Sequence, residues 1–82
     1  MHKDEIKHLI EAGLPGAQAM VYGDDGAHFE AVVVCEDFAG KLPLAQHRMV
    51  YTTLGERMHA EIHALSMKTY TPAEWAQLQA AQ

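Results

Sequence analysis

The segment joining residues 28–35 to residues 62–70 constrains this chain more than any other. Both ends read as β-strands, HFEAVVVC and IHALSMKTY, and between them Leu44, His47, Tyr51, Leu54 and Met58 recur at helical spacing. A full helix between two strands is too long for a hairpin and favours a right-handed crossover into a parallel pair. Parallel neighbours start at the same end of their sheet. His28 and His63 are therefore expected to begin adjacent strands, roughly 5 Å apart, on one edge.

The remaining elements follow from local signals. Ile6, Leu9, Ile10 and Leu14 mark a first helix, with Asp4 and Glu5 in the first turn where the helix dipole favours them. Gly13 and then Leu14-Pro15-Gly16 are read as its stop. Residues 17–22 form a short strand, and Gly23-Asp24-Asp25-Gly26 turns it into the next as a hairpin. Val32, Val33 and Val34 in succession predict a central strand covered on both faces. Residues 37–43 break the pattern before the middle helix. Thr71-Pro72-Ala73-Glu74 is a helix start with threonine as N-cap. The last helix is expected to carry Trp75 and Leu78 to the core. The order helix, strand, strand, helix, strand, helix makes an α+β chain, and 82 residues suit one domain, 1–82, with a modest core.

Composition excludes more than it assigns. A net charge of −5 with only six Lys and Arg makes a poor non-specific nucleic-acid binder. A single cysteine cannot form an internal disulfide, which suits a reducing, cytoplasmic setting. Residues 1–13 are charged throughout and predict neither a signal peptide nor a membrane span. No triad and no paired carboxylates in a cleft suggest an enzyme. Six histidines are the oddity. His2, His8 and His59 are read as surface residues, and His47 as packed and hydrogen-bonded on the apolar stripe of the middle helix. Cys35 is read as a small buried hydrophobe, and Asp24 and Asp25 as turn residues. Gly13-Leu14-Pro15-Gly16 matches a GxxG pattern formally, but it joins a helix to a strand and its proline removes a donor, so it is read as a helix stop. For His28 and His63 two readings stand. Each is a strand-end residue satisfied by backbone or water, or the two are half of a metal or cluster site. Two imidazoles do not fill a tetrahedral site, so a partner would complete it.

Ala27-His28-Phe29, Phe38-Ala39-Gly40, His47-Arg48-Met49-Val50-Tyr51, Ile62-His63-Ala64-Leu65 and Tyr70-Thr71-Pro72-Ala73-Glu74-Trp75 together resemble the BolA family. The likeness spans nearly the whole chain in order and is greatest to the family's small bacterial YrbA/IbaG-type subclass. It implies an αββαβα fold like a class II KH domain, with helices packed on a three-stranded mixed sheet and no GxxG clamp. It also implies partnership with a monothiol glutaredoxin, through a bridging [2Fe-2S] cluster held by glutaredoxin cysteine, glutathione and a BolA histidine. That histidine maps onto His63. The family's second ligand, a Cys or His, comes from the loop between strands one and two. Its cysteine position falls within Asp24-Asp25-Gly26 here, and His28 is the nearest imidazole. Iron homeostasis, cluster trafficking and stress response follow as expected roles, for a chain that alone is a monomer or weak homodimer with no tightly bound cofactor. The family is also associated with transcriptional regulation. For weak DNA binding through the middle helix and preceding turn, the basic candidates are Lys41, Arg48 and Arg57.

Overall fold

A computed structural model describes residues 1–60 and 64–82, with residues 59 and 60 described in the backbone alone. The elements are α1 (Lys3–Gly13), β1 (Gln18–Tyr22), β2 (His28–Val34), a 3-10 turn (Glu36–Phe38), α2 (Pro43–Leu54), α3 (Arg57–Ala60), β3 (Ala64–Tyr70) and α4 (Pro72–Ala80). The sheet order is β1-β2-β3. β1 pairs antiparallel with β2, and β3 runs parallel to β2, as a helical crossover requires. Where one continuous middle helix was expected, there are two. Gly55 caps α2 with φ 56°, a left-handed conformation that ends the helix before α3 begins.

Period-two alternation decides which sheet face is buried. Ala19, Phe29, Ala31 and Val33 point to one face and join Ile6 and Ile10 of α1 and Val50 and Leu54 of α2 in the core. Cys35 continues that face and is 1% exposed, a buried hydrophobe as expected. The opposite face is covered at only one end of the valine run, where Val34 is 6% exposed. Glu30 on β2 is exposed and Val32 half-buried, so β2 is central without being shielded on both sides along its length. α4 also departs from expectation. Its capping box is present, with Thr71 Oγ1 accepting from Glu74 N–H and Glu74 Oε1 from Thr71 N–H. Yet it has no buried residue, and Leu78 faces solvent. Trp75 is half-buried, its ring tilted on Tyr70 at a centroid distance of 5.4 Å.

Gly13 does not act as a left-handed stop. It is the last residue of α1, and a Cβ there would lie 2.6 Å from Thr53 Cγ2. Its missing side chain lets α1 approach α2. His2 is more than a surface residue: its Nδ1 accepts the Asp4 N–H at 3.1 Å, and Glu5 Oε1 accepts the His2 N–H, so histidine caps the helix in the place of a hydroxyl or carboxylate.

β1 is an edge strand, and α1 protects it. Lys7 Nζ donates to Ala19 O and to Glu11 Oε2, each at 2.8 Å, and Glu11 Oε2 accepts the Ala19 N–H at 3.0 Å. Both backbone groups of Ala19 are thus satisfied by side chains instead of a further strand. The Lys7 ammonium, and then the Ala19 N–H, hold the Glu11 carboxyl below its ordinary value of 4.5, outweighing a smaller opposing effect of burial. A depressed carboxylate stabilises the fold above its unfolded pKa, and that contribution disappears as pH falls through the folded value. Glu11→Gln keeps an acceptor for Ala19 but removes the charge. The variant should therefore lose less stability than the parent between pH 5 and pH 2, measured by urea unfolding at each pH. Parallel acid limbs for the two proteins would contradict this account of Glu11.

Candidate metal centre

The hairpin loop between β1 and β2 is built on an aspartate. Asp25 Oδ1 accepts the backbone N–H groups of Ala27 at 2.9 Å and His28 at 2.8 Å, closing the turn on itself. Asp25 Oδ2 lies 2.7 Å from His28 Nδ1. The backbone N–H of His28 lowers the Asp25 carboxyl most, followed by the N–H of Ala27 and the His28 ring, and together they place it well below the usual carboxylate range. Asp25 is therefore ionised and can only accept. Nδ1 must carry the proton of that hydrogen bond, which in the neutral ring leaves the lone pair on Nε2. Holding Nδ1–H with a carboxylate is how proteins fix the tautomer and orientation of a metal-binding histidine. The His28 side chain is 67% exposed, so a partner can reach it. Both groups are well exposed, and the pair's contribution is orientation more than stability.

Gly23 sets the strand start against this loop. At φ 155° a Cβ would stand 2.5 Å from His28 O and 2.7 Å from Phe29 Cδ1. The first obstacle is backbone and cannot swing aside. Gly23→Ala should cost about 1–3 kcal/mol, the range for a residue forced into a sparsely populated conformation, read as a lower thermal midpoint. An unchanged midpoint would show that the loop repacks without strain.

His28 and Ala64 are register partners at the start of the parallel pair, and Ala64 N–H donates to Ala27 O at 3.2 Å. Along the uncovered face an open groove of about 410 Å³ is lined by Tyr22, Gly23, His28, Glu30, Ala64 and Ser66, among others. His63 lies outside the described residues. The residue after it in sequence, Ala64, is thus the one that sits across from His28. Among the described residues there is no group of three or more His, Cys, Asp or Glu side chains able to hold a metal ion.

The other candidates fall elsewhere. His47 is half-buried and its ring makes no hydrogen bond to another described residue; its neighbour Gln46 is the polar side chain that enters the core. Lys41 precedes α2, Arg48 is on its outer side and Arg57 lies beyond the break in α3, all exposed. The break at Gly55 separates Arg57 from the helix that carries Arg48, where one continuous middle helix was expected. Asp25 is the site residue that sequence reasoning read only as a turn former. Its signal was the Asp-x-x-His spacing, which lets one carboxylate cap two amides and reach the ring.

A three-stranded mixed sheet packed with helices, carrying an exposed, carboxylate-held histidine at the mouth of its parallel pair, is an α+β scaffold with an open groove beside that histidine. The family model described as "BolA-like protein" matches residues 5–74. The chain is 48% identical over 52 residues to "DNA-binding transcriptional regulator BolA" of Vibrio cholerae, covering 63% of this chain and 49% of that protein. It thus spans about half the length of that regulator. It is 39% identical over 77 residues to "Acid stress protein IbaG" of Escherichia coli, covering 93% of this chain and 90% of IbaG. A solved BolA homologue from Coxiella burnetii superposes with a TM-score of 0.85 at 48% identity, covering 93% of this chain and 97% of that one. This chain belongs to the BolA family, and the match across nine-tenths of IbaG places it with the short bacterial branch.

Proposed function

We propose that this chain is a non-enzymatic, cytoplasmic adaptor that shares a [2Fe-2S] cluster with a monothiol glutaredoxin and glutathione, in iron–sulfur handling and the response to stress. The observation that carries the reading is the His28 ring, exposed and held by ionised Asp25 at the start of the parallel β2–β3 pair. Imidazole nitrogen is a fitting donor for such a cluster. In this reading His63 and His28 Nε2 are the chain's ligands, and the partner and glutathione complete the coordination. Asp25 orients the His28 ring and keeps Nδ1 protonated, and Gly23 fixes where the strand begins. When bound, the cluster supplies one-electron redox chemistry and a transferable iron–sulfur unit, and imidazole in place of thiolate raises its potential. The acid-stress name of the relative IbaG agrees with a stress role. Among the described residues no helix is long and apolar enough to cross a membrane.

The test is to add the chain to a cluster-loaded glutaredoxin–glutathione homodimer. A heterodimer on size exclusion with a new visible circular-dichroism spectrum is expected. A spectrum identical to the homodimer's, with the chain eluting separately, would contradict the proposal.

A second reading, weak DNA binding through Lys41, Arg48 and Arg57, is favoured by the name of the Vibrio relative. The charge of −5 stands against it. Anisotropy titration at two salt concentrations separates the two, since phosphate-driven affinity falls steeply with salt.

A further inference from the structure

The face of α2 turned away from the core is apolar where solvent should favour polar groups. Gln46, Val50 and Leu54, at i, i+4 and i+8, are its buried side. Leu44, Arg48 and Tyr51, at i, i+4 and i+7, stand together on the opposite side, one and two turns apart. Leu44 is 62% exposed and Tyr51 38%, and Leu42, the residue before the helix, is 78% exposed. The sequence had assigned Leu44 and Tyr51 to the same stripe as Leu54, yet no described element covers them. Two leucines this bare beside an aromatic ring and an arginine match the composition of an interface centre.

Charge says what kind of partner fits. The chain is acidic overall, but no Asp or Glu stands between Asp37 and Glu56, while Lys41 and Arg48 both do. Neither cation forms an ion pair with a described residue. The outer face of α2 is therefore apolar and positive on a negative protein. Duplex DNA would satisfy the two cations and waste the leucines, and two phosphate contacts supply little affinity. A second copy of this chain would use the cations on its acidic surface, but among the described residues its other exposed large hydrophobics, Tyr22 and Leu78, stand on separate elements.

The patch also lies away from the candidate metal centre. Gln46 ties the start of α2 to Thr69 near the end of β3, and Ala64 and Tyr70 are opposite ends of that strand. At about 3.3 Å per residue the two ends are roughly 20 Å apart. We propose that the outer face of α2 docks an amphipathic segment of a partner protein, one that presents two or more apolar side chains flanked by Asp or Glu. The apolar side chains cover Leu42, Leu44 and Tyr51, and the carboxylates pair with Lys41 and Arg48. Docking there leaves the His28 edge open, and it needs no cluster.

The probe is a displayed library of random helical peptides selected against the intact chain. The enriched peptides are expected to combine acidic and apolar residues on one face. Their affinity should fall about tenfold or more with Leu44→Asp, and similarly with Arg48→Glu, as for truncated interface anchors, and stay unchanged with His28→Ala. Both surface variants should keep the parent circular-dichroism spectrum and thermal midpoint. Should either fail to fold, Leu44→Ser and Arg48→Ala read the same contacts. No enrichment, peptides without acidic bias, or binding indifferent to Leu44 and Arg48 would overturn the proposal. So would a salt-sensitive duplex DNA complex lost with Arg48→Glu but not Leu44→Asp, or a homodimer lost with Leu44→Asp.

Discussion

Replacing Gln46 with leucine should lower the stability of the fold by about 3 kcal/mol, although leucine fits a buried helix position by every sequence rule. Gln46 is 7% exposed, the one buried polar side chain among the described residues. Its Nε2 donates to Phe38 O at 3.0 Å and Lys41 O at 2.8 Å, and its Oε1 accepts from Thr69 Oγ1 at 2.6 Å. One amide thereby ties the 3-10 turn, the start of α2 and β3 together. Leucine would leave the Lys41 carbonyl and the Thr69 hydroxyl without partners and take one of two donors from Phe38 O, which keeps the Lys41 N–H; each buried unsatisfied group costs about 1–3 kcal/mol. Part of that is recovered by water reaching the less buried Lys41 carbonyl. In a domain of this size such a loss lowers the thermal midpoint by about 12–24 °C. Gln46→Glu separates shape from hydrogen bonding, because the carboxylate keeps the acceptor and loses both donors. Chemical denaturation of both variants checks this, and a change under about 0.5 kcal/mol, the size of an ordinary surface substitution, would show the network to be dispensable.

The second large effect is expected at the candidate metal centre. His63→Ala should abolish the heterodimer spectrum formed with a loaded monothiol glutaredoxin. His28→Ala should weaken cluster retention without unfolding the chain, because the ring is exposed and its contribution to packing is small. Asp25→Ala tests the geometry more finely. It leaves the His28 imidazole in place and removes the carboxylate that holds Nδ1 and caps two amides. Cluster retention should fall about 10- to 100-fold, the usual effect of removing the group that orients a ligating histidine. If His28→Ala retains the cluster as the parent does, His28 is a strand-start residue held by its own loop, and another group supplies the second ligand.

The topology was readable because chain length between elements is a strong constraint. A helix between residues 35 and 62 allows little but a parallel crossover, and β3 does run parallel to β2 from a start opposite His28. The hairpin and the Thr71 cap were equally legible, since turn and cap chemistry acts over three or four residues. What sequence did not show is which side of each apolar element faces in. Leu44, Tyr51 and Leu54 share a helical repeat, but packing against β3 and α1 turns Gln46, Val50 and Leu54 inward instead. A glutamine there is invisible to a hydrophobicity pattern, because its burial depends on two carbonyls from the connection before α2 and a hydroxyl from β3. The valine run in β2 likewise looked doubly covered. The second side of the sheet is covered at the Val34 end, but Glu30 and Val32 are left open. At the candidate centre the histidine was legible, and the residue that aims it was hidden inside an ordinary turn signal.

The most direct test of a shared cluster asks which chain's nitrogen touches iron. The chain is labelled with ¹⁵N-histidine, assembled with unlabelled glutaredoxin and glutathione, and reduced by one electron for pulsed electron–nuclear resonance. The account predicts ¹⁵N hyperfine couplings of direct imidazole ligation, reduced in number in the His28→Ala variant and absent in His28→Ala/His63→Ala. A paramagnetic heterodimer cluster with no ¹⁵N coupling from this chain would contradict it.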